Sequence, residues 1–303
     1  MFPAEIRMVL FGRLAGELAA AMTTLFEQPT EIRVMQEPDA GMLRWANCFS
    51  GFEVPEELPV DHLEWVHCWG AGTEQWQTRG LPDNCLLTRT VGEMPLRMAE
   101  FCLAYSLALL TGIFAVRNNQ ANRQWCEVPA DLLCQQRVAV LGSGEIGRVI
   151  GQHYSALGAQ VTSFSRRGAA VDGLRVLPFD QFIGIRRDFD IVINCLPLTS
   201  QTKDLIDKQL LAQMTLNHFI NVGRSATVVL GDLLAALASG SIQTLVLDVH
   251  DQEPLAPDSP LWSIDRVLIS PHRSAPTVAT DVISSINKIN QLGDESNLIV
   301  HKE

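Results

Sequence analysis

One stretch constrains the fold of this chain more than any other, and it reads RVAVLGSGEIGRVIGQHYSALGAQVTSFSRR from Arg137 to Arg167. It opens with an apolar run that has the length of a buried strand, and a second such run lies near its end. Between them, glycines at the spacing G-x-G-x-x-G precede a segment whose apolar residues recur at helical spacing. Gly-rich turns also occur where no ligand binds, but here strand, glycines, helix and strand follow in order. This order predicts a βαβ unit that binds a dinucleotide.

Each glycine of the motif has a physical task in such a unit. Gly142 permits the tight turn after the strand, Gly144 lets the backbone approach a pyrophosphate, and Gly147 lets helix and strand pack closely. Helical spacing continues from Ile146 to Leu157, and we expect Glu145 and Ile146 beside the glycines to contact the cofactor. The N-terminus of this helix supplies N–H groups and the positive end of the helix dipole to the phosphates.

The end of the second strand indicates which dinucleotide is preferred. A unit that binds NAD usually carries Asp or Glu there, where it holds the ribose 2′-hydroxyl. This chain has Ser165, Arg166 and Arg167 instead. Two guanidiniums and a hydroxyl suit a 2′-phosphate, although a solvated basic turn without a ligand is the alternative. We therefore expect NADPH (NADP+) as cofactor, with NADH used less efficiently.

Composition excludes several classes of partner. The 303 residues suffice for two domains, and the hydrophobic share of 47% with 19% charged residues is typical of a globular protein. A formal net charge of −11 disfavours nucleic acid and anionic membranes as partners. The scattered cysteines show neither a C-x-x-C pair nor zinc-like spacing, so we expect no metal and a reducing compartment. No signal peptide is evident, and we expect a cytoplasmic protein.

An uncharged segment from Phe101 to Val116 precedes the dinucleotide motif. It is shorter than the ~20 residues that cross a bilayer, so it predicts a buried helix at a domain or subunit junction. A polar stretch follows and ends in Trp125. The uncharged helix is too apolar to leave in water, and we expect a two-fold homodimer built on it and on the segment that ends in Trp125.

The remainder of the chain repeats the order of strand and helix, which predicts a doubly wound parallel sheet. In such sheets, ligands bind at the carboxyl ends of the strands. Strands are predicted at 6–11 and 31–35, and again at 190–196, 218–222, 245–249 and 267–270.

Three side chains near the predicted strand ends suit the reduction of a carbonyl group. His272 can transfer a proton near neutral pH, Glu253 can fix its tautomer, and Arg224 can hold and polarise an anionic substrate. Each has a plainer explanation as well. An Arg after a strand usually makes a surface salt bridge, a single His is often a capping or core residue, and a Glu before Pro254 can simply begin a turn.

A Gly-rich turn also follows the sequence WVHCW in the first half of the chain. The backbone N–H groups of Gly70, Ala71 and Gly72 can bind an anion there, or the three residues can form an ordinary tight turn. From spacing alone, the ordinary turn is favoured.

Residues 134 to 276 resemble the D-isomer-specific 2-hydroxyacid dehydrogenases. The sequences LPLTSQTKDLID, NVGRSATVVLGDLLAALASGSI, LDVHDQEPLAPDSPLW and ISPH match successive signatures of that family. Among its subgroups, the SRR ending, the tryptophan-rich N-terminal half and SPLW are most similar to glyoxylate/hydroxypyruvate reductase A. The resemblance implies two α/β domains with parallel sheets, both of the Rossmann-like or flavodoxin-like type. It also implies a nucleotide domain, residues 98–275, inserted into a substrate domain of residues 1–97 and 276–303.

The resemblance also implies roles for individual residues. Arg224 would hold the substrate carboxylate and carbonyl oxygen, and His272 would be the general acid in reduction, with Glu253 hydrogen-bonded to it. Asp248 would orient the nicotinamide amide. The N–H groups of Ala71 and Gly72 would bind the substrate carboxylate, Trp45 would lie near the substrate, and Trp125 would reach toward the partner subunit's site. The residues that would contact the cofactor are Leu196, Pro197, Thr199, Val222, Gly223 and Ser274.

The expected function is NADPH-preferring reduction of small 2-oxo acids, glyoxylate and hydroxypyruvate first, to glycolate and D-glycerate. One alternative is a non-catalytic, nucleotide-sensing binding protein of the same fold, such as a corepressor, and another is a dehydrogenase for a larger 2-oxo acid. Two departures from the family leave the substrate open. Ser225 stands where Gly is common after Arg224, and Arg273 adds a positive charge directly after His272.

Overall fold

The computed structural model describes residues 2–168, 173–293 and 298–300. The chain forms two compact units. We call Met1–Met94 with Thr277–Glu303 the terminal unit, and Pro95–Pro276 the central unit. The division falls after Met94 and Pro276, where the sequence predicts boundaries after residues 97 and 275.

Each unit is built on one sheet, and every pairing between named strands is parallel. The strands are β1 Ile6–Phe11, β2 Thr30–Met35, β3 Cys48–Gly51, β4 Trp65–Cys68, β5 Leu86–Arg89, β6 Arg137–Leu141, β7 Gln160–Ser165, β8 Val176–Pro178, β9 Ile191–Asn194, β10 Leu216–Asn221, β11 Ile242–Leu247 and β12 Val267–Ile269. The order is β2-β1-β3-β4-β5 in the terminal unit and β12-β11-β10-β9-β6-β7-β8 in the central unit. The predicted α/β fold class with parallel sheets is confirmed.

Helices connect most of the successive strands in both units. They are α1 Ala15–Thr23, α2 Ala40–Trp45, α3 Glu74–Gln77, α4 Met94–Leu110, α5 Ile113–Ala121, α6 Glu145–Ala156, α7 Phe179–Ile185, α8 Lys208–Leu211, α9 Leu230–Ala238 and α10 Ala279–Leu292. Short 3₁₀ turns lie at Leu133–Gln135, Arg186–Asp188, Ser225–Thr227 and Pro260–Ser263.

The central sheet is buried on both faces, which explains the nearly continuous apolar strands of the sequence. Alternate residues of one strand enter different hydrophobic clusters. In β9, Ile191 and Ile193 pack into one cluster and Val192 into the other, and all three are fully buried. Truncation of Ile193 to Ala is expected to cost about 2–5 kcal/mol of unfolding free energy, as for other buried isoleucines.

The tryptophan-rich region of the terminal unit mainly forms core. Trp65, Trp69 and Trp76 are almost fully buried. Each indole N–H finds an acceptor, namely Thr88 Oγ1 at 2.8 Å, Ser50 Oγ at 2.7 Å and the Phe52 carbonyl at 3.0 Å, respectively. Trp45, at the end of α2, is only partly buried.

The uncharged segment is not one helix, as the sequence predicts, but parts of two. The break lies at Gly112, whose φ of +68° belongs to the left-handed region that glycine tolerates best. A Cβ there would lie 2.3 Å from Val128 Cγ1, so packing as well as backbone conformation requires glycine. Among the described residues, no single helix is long and apolar enough to cross a membrane, and α4 and α5 meet that test only as a pair bent by 59°.

Candidate active site

The glycine motif forms a tight turn between β6 and α6. Gly142 has a φ of +101°, and its N–H donates to the carbonyl of Phe164 at 2.9 Å. A Cβ on Gly147 would lie 1.8 Å from the Gly142 carbonyl oxygen, which excludes every larger residue. No atom lies within 4 Å of the position that a Cβ on Gly144 would take. The turn therefore has the close helix–strand packing and the open approach that a bound pyrophosphate requires.

A cysteine that the sequence does not single out lies against this turn. Cys195 follows β9, and its thiol is within hydrogen-bonding distance of the carbonyl oxygens of Leu141 and Gly142, at 3.1 and 3.2 Å. Burial raises the pKa of this thiol to about 12, so it remains a neutral donor. The thiol thus ties the end of β9 to the glycine turn.

The basic end of β7 is accessible. Ser165 Oγ accepts a hydrogen bond from the N–H of Gly168 at 3.0 Å, which closes the turn after the strand. The side chains of Arg166 and Arg167 are exposed. Both guanidiniums are therefore open to an anionic group from solvent.

Two buried asparagines organise the loops beyond β9 and β10. Asn194 Nδ2 donates to Asn221 Oδ1 at 2.9 Å and to Thr227 Oγ1 at 2.8 Å. Each asparagine also accepts a hydrogen bond from a backbone amide in the loop that follows its strand. Asn194 Oδ1 accepts from the N–H of Leu196, and Asn221 Oδ1 accepts from the N–H of Gly223, both at 3.2 Å. These loops carry the predicted cofactor residues Leu196, Pro197, Thr199, Val222 and Gly223.

Arg224 extends from the second of these loops and is half-buried. Its Nη1 donates to the Gly223 carbonyl at 2.9 Å, and its own carbonyl accepts from Thr227 Oγ1 at 2.6 Å. Ser225, which replaces the usual glycine, is not among the described residues with positive φ. The serine is therefore accommodated without left-handed backbone strain.

His272 and Glu253 form a direct pair in the central unit. His272 Nδ1 lies 2.7 Å from Glu253 Oε2, and because the carboxylate accepts, Nδ1 is the donor. The other oxygen, Oε1, accepts from the N–H of His250 at 2.9 Å, so Glu253 is held from two sides. The His272 side chain is 50% exposed. Its Nε2 is therefore the ring nitrogen left to exchange a proton with a substrate.

Asp248 holds the backbone of residues 272–274 through hydrogen bonds. Its carbonyl accepts the N–H of His272 at 2.8 Å. Its Oδ1 and Oδ2 accept those of Arg273 and Ser274, both at 2.9 Å. His272 has a φ of +46°, uncommon for a residue with a side chain, and Asp248 is fully buried. Three consecutive amides thus hold His272 in a strained turn, a role for Asp248 that the sequence does not predict.

Tyr105 of α4 is a further group near these residues that the sequence does not single out. Burial and then the charge of Asp248 raise the pKa of its phenol, while Arg273 acts in the opposite direction. Tyr105 therefore carries an intact O–H at neutral pH. It has no sequence signal beyond its place in an apolar helix.

The remaining predicted site residues belong to other parts of the chain. In the terminal unit, the guanidinium of Arg33 stacks over the Trp45 ring, and its Cζ lies 3.7 Å from the centroid of that ring. Ala71 and Gly72 are half-buried in a turn, where the Ala71 carbonyl accepts from Arg89 Nη1 at 3.1 Å. In the central unit, the Trp125 side chain is fully exposed. Their predicted substrate and partner contacts stay predictions.

The chain is similar to known proteins both in sequence and in fold. A family model described as D-isomer specific 2-hydroxyacid dehydrogenase, NAD binding domain, matches residues 103–274. The "Uncharacterized protein in mprR 3'region" of Streptomyces coelicolor is 33% identical over 226 residues, which are 73% of this chain and 80% of that protein. Glyoxylate/hydroxypyruvate reductase A of Yersinia enterocolitica is 28% identical over 258 residues, 80% of this chain and 82% of that protein.

A solved structure gives the same result for the fold. A D-isomer specific 2-hydroxyacid dehydrogenase from Xanthobacter autotrophicus, in complex with NADPH and MES, is 27% identical and covers 98% of both chains with a TM-score of 0.82. The match of the family model lies on the glycine turn, the asparagine-bound loops and the His272 segment described above. The chain belongs to the D-isomer specific 2-hydroxyacid dehydrogenases, oxidoreductases that use a nicotinamide cofactor.

Proposed function

We propose that the protein is an NADPH-preferring reductase of small 2-oxo acids. Glyoxylate and hydroxypyruvate are the proposed first substrates, and glycolate and D-glycerate the products. The observation that carries the proposal is the 2.7 Å contact between His272 Nδ1 and Glu253 Oε2, in the unit that also carries the glycine turn. A related reductase of Yersinia enterocolitica supports the choice of substrates.

The cofactor assignment rests on the glycine turn and on the end of β7. The space in front of Gly144 receives the pyrophosphate, with Glu145 and Ile146 at the start of α6. Ser165 and the exposed Arg166 and Arg167 bind the 2′-phosphate. The NADPH complex of the related Xanthobacter enzyme supports this preference. When bound, NADPH supplies the hydride for reduction.

Residues of the central unit bind the substrate, transfer the proton and position the groups that do so. Arg224 binds the substrate carboxylate and polarises the carbonyl oxygen. His272 Nε2 donates a proton to that oxygen as the carbonyl is reduced, and Glu253 keeps the ring oriented through Nδ1. Asp248 holds the His272 turn through its three backbone contacts. In oxidation, the same Nε2 accepts the proton.

The terminal unit contributes to substrate binding in this proposal. The N–H groups of Ala71 and Gly72 bind the carboxylate, and Trp45 contributes an apolar wall that favours small acids. Neither of these N–H groups donates to another backbone group within the described contacts.

We propose a two-fold homodimer built on the segment from α4 to Trp125. No residue of α5 is buried within the chain, and Ile113, Phe114 and Val116 are 56%, 43% and 52% exposed. Trp125 is fully exposed and extends toward the partner's site in this arrangement. Light scattering at micromolar concentration is expected to give twice the mass of the chain, and a monomer would contradict the proposal.

A kinetic panel tests the proposed activity. Initial rates are measured for glyoxylate, hydroxypyruvate and larger or dicarboxylic 2-oxo acids, each with NADPH and with NADH. We expect the small acids to give the highest kcat/KM and NADPH to exceed NADH at least tenfold, a difference of ~1.4 kcal/mol. Preference for a dicarboxylic acid would assign Arg273 to a second carboxylate, and absence of turnover would favour the nucleotide-sensing alternative.

A double variant isolates the cofactor preference. Arg166→Ala with Arg167→Ala should lower the NADPH preference, chiefly through a higher KM for NADPH, because the 2′-phosphate loses two cationic partners. Arg148→Ala, a change of the same kind on α6, is the matched control and should keep the preference. Equal efficiency with both cofactors in the unmodified enzyme would contradict the assignment.

A further inference from the structure

The central unit contains a cavity with a volume of about 230 Å³. It lies between α9, the ends of β10 and β11, and the segments 249–255 and 259–261. No residue of the glycine turn and neither His272 nor Arg224 lines it. The cavity is thus separate from the groups assigned to hydride and proton transfer.

Most of the cavity wall is aliphatic. Leucines of α9 form one side, and residues of β11 and the segment 249–255 form the other. The principal apolar residues are Leu230, Leu233, Leu234, Leu247, Val249 and Leu255. Well-packed interiors seldom leave a space of this size, and a wall of such side chains offers no hydrogen bonds to water.

Three polar side chains of the wall, Asn221, His250 and Ser259, make hydrogen bonds within the protein. Asn221 Oδ1 accepts from Asn194 and Gly223, and His250 Nε2 lies 3.1 Å from the carbonyl of Ser270. Ser259 Oγ accepts the N–H of Leu261 at 3.4 Å. A water molecule needs two to four polar partners, so this wall favours an apolar occupant over water.

The cavity has an accessible side. Asp251, Gln252 and Pro260 contribute to its lining and are exposed to solvent. A ligand can therefore enter between the segments 249–255 and 259–261 without unfolding of the core.

We propose that this cavity binds an uncharged aromatic molecule of one or two rings. An engineered apolar cavity of ~150 Å³ in another protein binds benzene, and the larger volume here suits rings from toluene to indole. A charged group would lose its hydration among the aliphatic side chains, and an anion would in addition meet the carboxylate of Asp251, so the ligand is neutral.

Occupancy of the cavity bears on the proposed reductase, and this consequence rests on the proposed function. Val249 and Leu255 line the cavity on either side of Glu253 in the chain. A bound ring therefore contacts the segment that holds Glu253 against His272. The ligand is a regulator that changes kcat and leaves the KM for NADPH unchanged.

Thermal unfolding of the full-length protein tests binding without any reliance on activity. Toluene and indole should raise Tm by about 3 °C at ten times their dissociation constant, because they bind only the folded protein. Benzoate, an anionic ring of similar size, should give no rise, because the cavity is lined by aliphatic side chains and the Asp251 carboxylate. Absence of any rise, or an equal rise with benzoate, would overturn the proposal.

Variants with a larger side chain in the cavity test whether the ligand binds there. Leu234→Phe occupies the space from α9 and should abolish the rise in Tm, while Leu157→Phe makes the same change at an exposed leucine and should keep it. Leu255→Phe fills the cavity from the opposite wall and replaces the first variant if that one does not fold. An unchanged rise in a folded filling variant would overturn the assignment to this cavity.

Rates measured with indole test regulation separately. A change in kcat that the folded filling variant no longer shows supports the regulatory role. Binding without a change in kcat overturns that role alone, and a failure of the 2-oxo acid panel overturns the proposed function without affecting the Tm result.

Discussion

Each unit contains a group of buried polar residues, and the two groups are placed differently. In the central unit, Asn194, Asn221 and Asp248 lie at or just beyond the ends of neighbouring strands and bind backbone amides of the following segments. In the terminal unit, His67 and Thr88 lie within β4 and β5 and bind side chains of the same core. The first arrangement fixes segments that carry the proposed catalytic groups, and the second completes the packing of a sheet.

In the terminal unit, both ring nitrogens of His67 have hydrogen-bond partners inside the core. Its Nδ1 lies 2.8 Å from Thr88 Oγ1 and its Nε2 3.0 Å from Thr90 Oγ1. Burial lowers the pKa of this imidazole to about 3, so it is neutral in the folded protein. We therefore expect substitutions at strand ends of the central unit to change activity, and those inside the terminal sheet to change stability.

The largest effect is expected at His272. His272→Ala should lower kcat by ~10²–10⁴ and leave the affinity for NADPH nearly unchanged, because its proton is transferred only in the transition state. Steady-state kinetics and fluorescence titration of NADPH measure the two quantities. His153→Ala, which removes an imidazole from α6, is the control and should retain activity. A His272→Ala enzyme that keeps most of its activity would refute the proposed mechanism.

A smaller effect is expected at Asp248. Asp248→Asn turns an amide donor toward the N–H of Arg273 or Ser274, so the turn that carries His272 shifts. Misplacement of a catalytic group by about 1 Å can cost ~10²-fold, and we expect kcat to fall by about 10- to 100-fold. Steady-state kinetics measures this fall, and circular dichroism checks that the variant is folded. Loss of NADPH affinity with an unchanged kcat would limit Asp248 to cofactor binding.

At neutral pH the smallest effect is expected at His67, and it concerns stability alone. The unfolded imidazole binds a proton near pH 6.5 that the folded one does not, so stability falls as pH decreases from there toward about 3. The loss is ~1.4 kcal/mol per pH unit below 6.5. His218, whose pKa burial lowers to about 4, adds a similar loss in the central unit.

Urea unfolding at pH 7, 6 and 5 measures this dependence. His67→Gln should weaken the fall of stability with acid and retain activity at neutral pH. His62→Gln, at a half-exposed position, is the control. An unchanged pH dependence in His67→Gln would show that His67 does not control acid stability.

Sequence alone predicts the framework of the central unit well, because its strands are apolar runs between glycine or proline turns. The turn at Gly142 and the parallel strands follow from those patterns. Asn194, Asn221 and Cys195 are not predicted, since a short polar residue after a strand has no spacing signal. Their roles depend on which strands become neighbours in the sheet.

The break of the helix at Gly112 and the burial of the tryptophans also depend on tertiary contacts that the sequence does not show. A single glycine in an apolar run does not tell whether a helix ends there, and at Gly112 the contact with Val128 decides. The sequence likewise shows four tryptophans between residues 41 and 76 without showing that Trp65, Trp69 and Trp76 are core while Trp45 is not. Burial depends on which helices cover the sheet.

The asparagine pair has a consequence for the motions of the central unit. The amides of Leu196 and Gly223 are held by the oxygens of Asn194 and Asn221, and these two side chains hold each other. Exchange of either amide with deuterated solvent requires an opening that disturbs the shared contact. The two loops are therefore expected to open together, as one cooperative unit, rather than as independent flaps.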